Sequence, residues 1–403
     1  MQLAWGRARG RDAAGRRVAV TGLGVVVRCG IGKDAFWDGL CAPAPVGDRR
    51  VTAFDATPWF GPKEVRRVDR FAQLTVASAA MALDDAGAVD PDPDRAGVLM
   101  GTGVGGIETL GDQFVVSQEK GPDRVSPFLV PMMMANAGSA MVSMRNGWRG
   151  PCETVATACA AGAHAIGNGA RLVASGRCDV MLAGGAEAAM IPVTLSGFGN
   201  MTALSKSGVS RPFDLERDGF VLAEGSAAML LEDLDRARAR GAPVYAELAG
   251  AASTADAHHI TAPAPGGTGA AACMEEALDD AAMSPRQIAH INAHGTSTTL
   301  NDAAEAEAIN KVFGTPGPVL TSIKGVTGHA LGAAGAVEAV ASVLTIDRRT
   351  IPPTAGHTTP DPEVHLDIVS GAPRSWEPGP VLSNSFGFGG HNGCLIFVPT
   401  SGD

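Results

Sequence analysis

The feature that most constrains this chain is a β-prone run that stops at a cysteine and continues as a row of small residues. Alanine and glycine dominate residues 157–174 at helical spacing, so Cys159 is predicted to lie on a strand-to-helix turn. Small side chains allow such a helix to pack closely against neighbouring backbone. The unpaired N–H groups at a helix start stabilise a thiolate and could hold an oxyanion, as a nucleophile requires. The stretch alone is equally compatible with a small cysteine buried in the core.

The composition indicates a large globular protein. With 403 residues, 45% hydrophobic and 18% charged, the chain can bury a large core and is expected to form two domains or one large double unit. Its net charge of −10 and the lack of a basic stripe argue against nucleic-acid binding. The seven cysteines form no CxxC pair, which favours a reducing compartment without a disulfide framework or a zinc site. No apolar run is long enough to span a membrane.

The ends and halves of the chain differ in pattern. Residues 1–17 are expected to form a loose basic tail, because they carry five arginines but lack the apolar run of a secretory signal. Two halves, residues 18–245 and 246–403, are predicted to follow. The first contains Gly101-Thr102-Gly103-Val104-Gly105-Gly106, which fits G-x-G-x-x-G. No acidic residue follows at the expected distance, so we predict no dinucleotide cofactor there.

The second half repeats the pattern of the first. Residues 82–86 and 277–281 share the sequence Ala-Leu-Asp-Asp-Ala at a predicted helix end, and each leads through a linker to a buried strand. Cys159 opens a small-residue helix in the first half, and residues 327–336 open one in the second. This repetition predicts a duplicated α/β fold with the functional site between the halves.

Three further loops carry reactive groups. His294 lies at a predicted strand end, Lys324 and His329 share a second loop, and residues 383–392 supply flexible N–H groups around two aromatic rings. A lone histidine is more often structural, and we assign the histidines outside these loops to that class. The combination of a cysteine, two histidines and a lysine indicates nucleophilic catalysis.

The chain resembles the β-ketoacyl-acyl carrier protein synthases of the elongating type, from Val18 to about Pro399. Lysine plus two histidines is typical of these enzymes, whereas the starter synthases have an asparagine in place of His329 and thiolases use a second cysteine. The resemblance implies the thiolase fold, a duplicated α/β architecture with five α-β-α-β-α layers. The motifs that carry it are Thr157-Ala158-Cys159, His294-Gly295-Thr296-Ser297-Thr298, Lys324 with Gly328-His329, and Gly387-Phe388-Gly389-Gly390.

The resemblance also implies a reaction and its residues. An acyl group would rest on Cys159, malonyl-carrier protein would lose CO2, and the resulting enolate would accept hydrogen bonds from His294 and His329. The backbone N–H groups of Cys159 and Phe388 would form the oxyanion hole. Lys324 would pair with an acid, for which Glu305 is the expected residue, and fix the geometry around His294. Supporting roles are expected for Glu305, Asp302, Glu338 and Asn392.

Substrate binding is assigned in the same way. Thr296 and Thr298 would bind the pantetheine arm or the malonyl group, and Phe388 would act as a gate. The acyl tunnel would run past Val104 and Phe198, and its far end would be closed by the segment with Leu129 from a second subunit. No metal and no organic cofactor is expected. His391 stands where the family usually has threonine.

The expected partners are acyl- and malonyl-loaded carrier protein and a second subunit, with neither nucleic acid nor membrane. The subunit pair would be a homodimer, and a heterodimer with a chain-length factor stays open. The predicted activity is a cytoplasmic 3-oxoacyl-[acyl-carrier-protein] synthase of fatty acid biosynthesis. The alternative is a ketosynthase subunit of a type II polyketide or polyene pathway. A non-catalytic acyl-binding subunit is disfavoured because it would not need Cys159.

Overall fold

The computed structural model describes residues 16–47 and 49–400. Most of the predicted basic tail therefore lies outside the described residues. Arg16 and Arg17, its last two residues, form ion pairs with acidic residues of the first and second halves, Asp179 and Glu247. Among the described residues, no helix has both the length and the apolar character needed to cross a bilayer.

The strands of the described residues are β1 (Val18–Val27), β2 (Gly30–Ile31), β3 (Ala96–Gly101), β4 (Cys152–Val155), β5 (Val180–Glu187), β6 (Gly225–Asp233), β7 (Ala246–Ala255), β8 (His290–Asn292), β9 (Val319–Thr321), β10 (Thr350–Ile351), β11 (Arg374–Ser375), β12 (Val381–Gly387) and β13 (His391–Val398). The α-helices are α1 (Lys33–Leu40), α2 (Arg70–Ala86), α3 (Ile107–Lys120), α4 (Leu129–Met133), α5 (Ala137–Asn146), α6 (Ala161–Ala174), α7 (Pro192–Asn200), α8 (Leu234–Ala239), α9 (Thr268–Asp280), α10 (Thr299–Phe313), α11 (Lys324–Thr327) and α12 (Ala334–Asp347).

The main sheet shows the predicted duplication. Its path through the described residues is β4-β3-β5-β6-β1-β7-β13-β12-β8-β9, and β2 pairs with the end of β1. Reading inward from each edge gives 4-3-5-6-1 and 9-8-12-13-7, with three parallel strands followed by two antiparallel ones in both halves. Strands β1 and β7 join the halves, with Val18 opposite Leu248. The predicted boundary at residue 246 coincides with the start of β7 and stays a prediction.

The helices complete five layers. Helices α2 and α5 pack on the outer face of the first half-sheet, and α9 packs on the outer face of the second with α10 against it. Helices α6 and α12 lie between the half-sheets and contact strands of both. Their apolar side chains form one buried core with β1, β5, β6 and β13. The predicted α-β-α-β-α thiolase-like fold is confirmed.

The small residues of α6 and α12 explain how the central layer closes. A Cβ atom placed on Gly162 of α6 would lie 2.7 Å from the backbone nitrogen of Ala336 in α12. A Cβ atom on Gly335 of α12 would lie 2.8 Å from the backbone nitrogen of Ala163 in α6. Real Cβ atoms do not approach backbone this closely, so the two helices touch through their main chains. The sequence prediction of a closely packed helix is confirmed.

A buried histidine begins β8, the strand that leads to the His294 loop. His290, at the start of β8, is 0% exposed, and both of its ring nitrogens lack a hydrogen-bond partner among the described residues. Its ring meets the edge of the Trp376 ring, with the centroids 5.7 Å apart. Burial lowers the pKa of His290 to about 3, so the folded protein holds it neutral.

This histidine predicts an acid sensitivity of the fold. An unfolded chain binds a proton at His290 near the ordinary histidine pKa, whereas the folded chain does not until about pH 3. Above the ordinary histidine pKa, His290 therefore does not change the free energy of unfolding. As the pH falls below that pKa, the free energy of unfolding decreases, by about 2 kcal/mol at about pH 5. We expect the urea midpoint of His290→Phe to fall less between about pH 7 and about pH 5 than that of the wild type. The exposed control His365→Phe should follow the wild type, and equal pH dependence of all three proteins would contradict the prediction.

Candidate active site

Cys159 lies on the predicted strand-to-helix turn. Strand β4 ends at Val155, a single 3-10 turn spans Ala158–Ala160, and α6 begins directly afterwards. Ala158 has a φ of +49°, a left-handed conformation that is unusual for a residue with a side chain. A Cβ atom on Gly387, at the end of β12, would lie 3.0 Å from the Cys159 nitrogen. The second half of the fold therefore fixes the cysteine turn of the first half.

The thiol of Cys159 faces an imidazole. Its Sγ lies 3.0 Å from His329 Nε2. Burial raises the pKa of the Cys159 thiol to about 12, against the opposing effects of the Lys324 charge and the Phe388 N–H group. Stabilisation of a thiolate by the helix start stays a prediction, and in this cavity it acts against a larger cost of desolvation. Desolvation thus favours the protonated thiol, next to a hydrogen-bonding group that can stabilise the anion when it forms.

The two imidazoles are neutral and adjacent. The rings of His294 and His329 meet edge to face, with centroids 5.4 Å apart. Lys324 Nζ lies 3.3 Å from His294 Nδ1, and an ammonium group only donates, so His294 carries its proton on Nε2. Burial, reinforced by the Lys324 charge, lowers the pKa of both imidazoles well below the usual range. They are N–H donors rather than cations at neutral pH.

The predicted partner of Lys324 is wrong. Its Nζ forms a buried ion pair with Glu338 of α12 and donates to the His294 carbonyl oxygen at 2.6 Å. Glu305 accepts instead from the backbone N–H groups of His294 at 2.8 Å and Gly295 at 2.7 Å. Both oxygens of the Glu305 carboxylate are therefore bonded to the backbone of the turn that follows β8. Both acids support His294, but only Glu338 does so through Lys324.

The other predicted support residues, Asp302 and Asn392, form hydrogen bonds with neighbouring loops. Asp302 accepts from the backbone N–H group of Phe213 at 2.8 Å, and Asn392 donates to Asp256 Oδ1 at 2.8 Å. The hydroxyl oxygens of Thr296 and Thr298 are 2.9 Å apart. Burial raises the pKa of the Asp302 carboxyl, against the N–H group of Phe213.

One cavity of about 550 Å³ joins these groups. Leu129 and Lys324 do not line it in the described part of this single chain; Leu129 lies in α4, and Lys324 lies behind His294. The predicted residues that line the cavity are Cys159, His294, His329, Thr296, Thr298, Val104, Phe198, Phe388, Glu305 and Asn392.

Sequence reasoning missed two residues at this cavity. Phe220 packs edge-on against the His329 ring, with centroids 5.3 Å apart, and against Phe198 at the same distance. Glu187 is fully buried behind the cavity wall at the end of β5. A carboxylate at the end of an otherwise apolar strand was the available signal for Glu187. Nothing in the loop around Phe220 marked it as a neighbour of His329.

The described residues do not bring together three or more His, Cys, Asp or Glu side chains that could hold a metal ion. The cavity instead presents one thiol, two neutral N–H donors and backbone N–H groups. That set can hold a covalent acyl group and stabilise a negatively charged oxygen beside it.

Comparisons with known proteins agree over nearly the whole chain. Family models described as beta-ketoacyl synthase, N-terminal domain, and beta-ketoacyl synthase, C-terminal domain, match residues 48–237 and 245–358. The chain is 43% identical over 406 residues to a 3-oxoacyl-[acyl-carrier-protein] synthase 2 of Synechocystis sp., covering 95% of this chain and 98% of the relative.

Two solved structures are also similar. The ishigamide ketosynthase/chain length factor has a TM-score of 0.90 and 33% identity, covering 96% of this chain and 100% of that one. A type II polyketide ketosynthase bound to the hexaketide, in complex with its acyl-carrier protein, has a TM-score of 0.87 and 32% identity, with the same coverage.

The buried ion pair generates a prediction about stability. Lys324→Met leaves Glu338 without its cation in a site that water does not reach, so the free energy of unfolding should fall by about 3 kcal/mol. Adding Glu338→Gln should recover part of that loss. Arg348→Met, which breaks an exposed ion pair with Asp34, should have a much smaller effect. Urea unfolding of the four proteins measures this, and a double variant no more stable than Lys324→Met would contradict the pairing.

Proposed function

Because this chain belongs to the β-ketoacyl synthase family, we propose that its cavity carries out the decarboxylative Claisen condensation of an acyl group on Cys159 with malonyl-[acyl-carrier-protein]. The chain is a 3-oxoacyl-[acyl-carrier-protein] synthase, an acyltransferase that lengthens an acyl chain by two carbons. The observation that carries the proposed mechanism is the convergence of the Cys159 thiol and two neutral imidazoles on one cavity.

Acyl loading comes first. The Cys159 sulfur attacks the incoming thioester, the bond from the acyl carbon to the pantetheine sulfur breaks, and the thiol proton leaves with the carrier. His329 Nε2, at 3.0 Å from Sγ, stabilises the developing thiolate through its N–H group. One thioester replaces another, so this step needs no energy source.

Condensation follows when malonyl-carrier protein enters. Loss of CO2 leaves an enolate, whose oxygen accepts the N–H groups of His294 and His329; one such donor is worth about 10²–10³ in rate. The sulfur of Cys159 is acylated by then, so the His329 N–H group is free for this second task. The enolate carbon attacks the acyl carbon, and the N–H groups of Cys159 and Phe388 hold the resulting oxyanion. Collapse of this intermediate breaks the bond from the acyl carbon to the Cys159 sulfur and releases the 3-oxoacyl product, and the thiolate then takes a proton from water to restore the thiol.

The proposed partners are a carrier protein and a second subunit. Lys63, Arg66, Arg67 and Arg124 are exposed, and the Arg67 guanidinium lies 4.5 Å from the centroid of the Phe128 ring. These exposed basic side chains are the proposed contacts for an acidic carrier. Exposed apolar side chains of α3, of α4 and of the residues that flank α4 suit a subunit contact that would bring Leu129 to the acyl tunnel. They are Leu110, Phe114, Val115, Phe128, Val130 and Met134.

Fatty acid elongation is the proposed pathway, supported by the 43% identity to a 3-oxoacyl-[acyl-carrier-protein] synthase 2. A ketosynthase subunit of a polyketide pathway is the second candidate, supported by the likeness to a ketosynthase/chain length factor. The purified chain alone should complete one condensation in the first case and should need a different partner subunit in the second. The cytoplasm is the proposed compartment, since all seven cysteines are free.

An acyl adduct on Cys159 is the direct test of this function. Incubation with acyl-carrier protein should add one acyl mass to the intact protein, and peptide mapping should place it on Cys159. Cys159→Ala should lose both the adduct and condensation. Cys159→Gln should retain decarboxylation of malonyl-carrier protein, because a side-chain amide mimics the acylated sulfur.

His294→Ala separates the two steps. It should load the acyl group on Cys159 but lose decarboxylation by at least about 10²-fold, because its donor acts only after malonyl enters. In the wild type, an acyl adduct on the exposed Cys152 or on Cys178 would contradict the assignment of Cys159 as the nucleophile.

Chain length should depend on Val104. This residue lines the same cavity as Cys159, and its small side chain leaves room for an acyl chain, whose buried CH₂ groups contribute roughly 0.8 kcal/mol each to binding. Medium to long acyl primers should be accepted, and Val104→Phe should block the longer ones while short-primer turnover is kept. Competition between primers of different length measures this. An unchanged length profile in the variant would show that the tunnel does not pass Val104.

A further inference from the structure

A buried carboxylate that the mechanism above does not use lies directly behind the cavity wall. Glu187, the last residue of β5, is 0% exposed. Its Oε2 accepts the backbone N–H groups of Gly103 at 2.6 Å and Gly332 at 3.0 Å, and its Oε1 accepts the Thr102 hydroxyl at 3.1 Å. The Val104 N–H group is a further donor. One carboxylate thus gathers donors from two separate loops.

Those loops come from opposite halves of the fold and form adjacent parts of the cavity. Gly103 and Val104 belong to the turn after β3, and they line the cavity beside Cys159. Gly332 belongs to the turn that follows His329 and leads into α12. A Cβ atom on Gly332 would lie 2.6 Å from Thr102 Cα, so the two turns are in backbone contact. The Glu187 side chain accepts hydrogen bonds from both turns.

The turn after His329 needs such support. Leu331, which also lines the cavity, has a φ of +43°, a left-handed conformation that costs a residue with a side chain of order 1 kcal/mol or more. The N–H group of the next residue, Gly332, points to Glu187. Removing this acceptor would free Leu331 to relax, and both the acyl wall and the backbone next to His329 would then move.

We propose that Glu187 is a positioning residue for acyl loading, one that locks the Val104 wall of the acyl tunnel to the turn after His329. The role deepens the proposed function and rests on it, because it presumes that Cys159 carries the acyl group. Long acyl chains contact more of the tunnel wall than short chains do, so their binding depends more on the hydrogen bonds of Glu187. Burial is the largest cause of the raised pKa of the Cys159 thiol, and the charges of Glu187 and Glu338 add to it while Lys324 opposes it. Burial also raises the pKa of the Glu187 carboxyl to about 7, so its charge is fully present only above that pH.

Glu187→Gln tests the lock. The amide keeps the size of the side chain but carries no charge, and one of its two ends is an NH₂ group that cannot accept from the N–H and O–H donors that surround Glu187. We expect kcat/KM for a long acyl primer to fall by about tenfold or more relative to a short primer, the scale of lost hydrogen bonds to a charged group. Alkylation of Cys159 by iodoacetamide should shift to lower pH, because the negative charge is gone. A merely structural role would alter neither the length preference nor this pH profile.

Two further variants keep the test decisive. Thr102→Val removes one donor without changing the charge, so it should reduce long-primer use in the same direction but less, and it serves if Glu187→Gln does not fold. Glu232→Gln is the matched control. Glu232 is also buried, lies one residue before the end of β6, and accepts hydrogen bonds from Thr21 and Arg240. It should cost stability while leaving the length preference and the alkylation profile of the wild type.

The outcomes separate this inference from the function on which it rests. If the wild type forms no acyl adduct on Cys159, the proposed function falls and the inference falls with it. If the wild type is acylated and Glu187→Gln keeps the wild-type ratio of long to short primers and the wild-type alkylation profile, the inference alone is overturned. The inference is also overturned if kcat/KM of Glu187→Gln falls equally for long and short primers, because a variant that is merely less stable would behave in that way.

Discussion

Main-chain contact between α6 and α12 is the constraint on which the rest of this structure depends. Gly162 and Gly335 each face the backbone of the other helix, at distances that no side chain would allow. Because the helices meet this closely, the two half-sheets approach each other, and the turns at the two helix starts share one cavity. An alanine at either glycine would separate the helices and pull the thiol away from the imidazoles.

The two halves of the duplicated fold build the start of their central helix in the same way. Each central helix begins after a left-handed residue with a side chain, Ala158 in one half and Leu331 in the other. Each turn is held by a strand end of the opposite half: Gly387 lies against the cysteine turn, and Glu187 binds the turn after Leu331. The same architecture thus presents a thiol in one copy and an imidazole in the other, the proposed nucleophile and hydrogen-bond donor.

Much of this was predictable because local sequence determines it. The turn at Cys159, the repeated strand-helix unit and the position of His294 at a strand end follow from residue types and their spacing, and the resemblance supplied the layers. The partner of Lys324 was not predictable, since Glu305 and Glu338 are both buried helical acids and only the packing of α12 decides between them. The pKa of Cys159 was also missed, because desolvation depends on surroundings that no local pattern encodes.

The buried charges explain why the imidazoles are neutral. Lys324 lies behind His294, paired with Glu338, and its charge adds to burial in opposing a second cation at either ring. An imidazolium beside an enolate would be an acid and could protonate the carbanion before it reached the acyl carbon. A neutral imidazole stabilises the same oxygen through its N–H group and keeps its proton. In the proposed mechanism the lysine would act without touching substrate: it holds Nδ1 of His294 as an acceptor, which leaves the Nε2–H group to donate to the enolate oxygen.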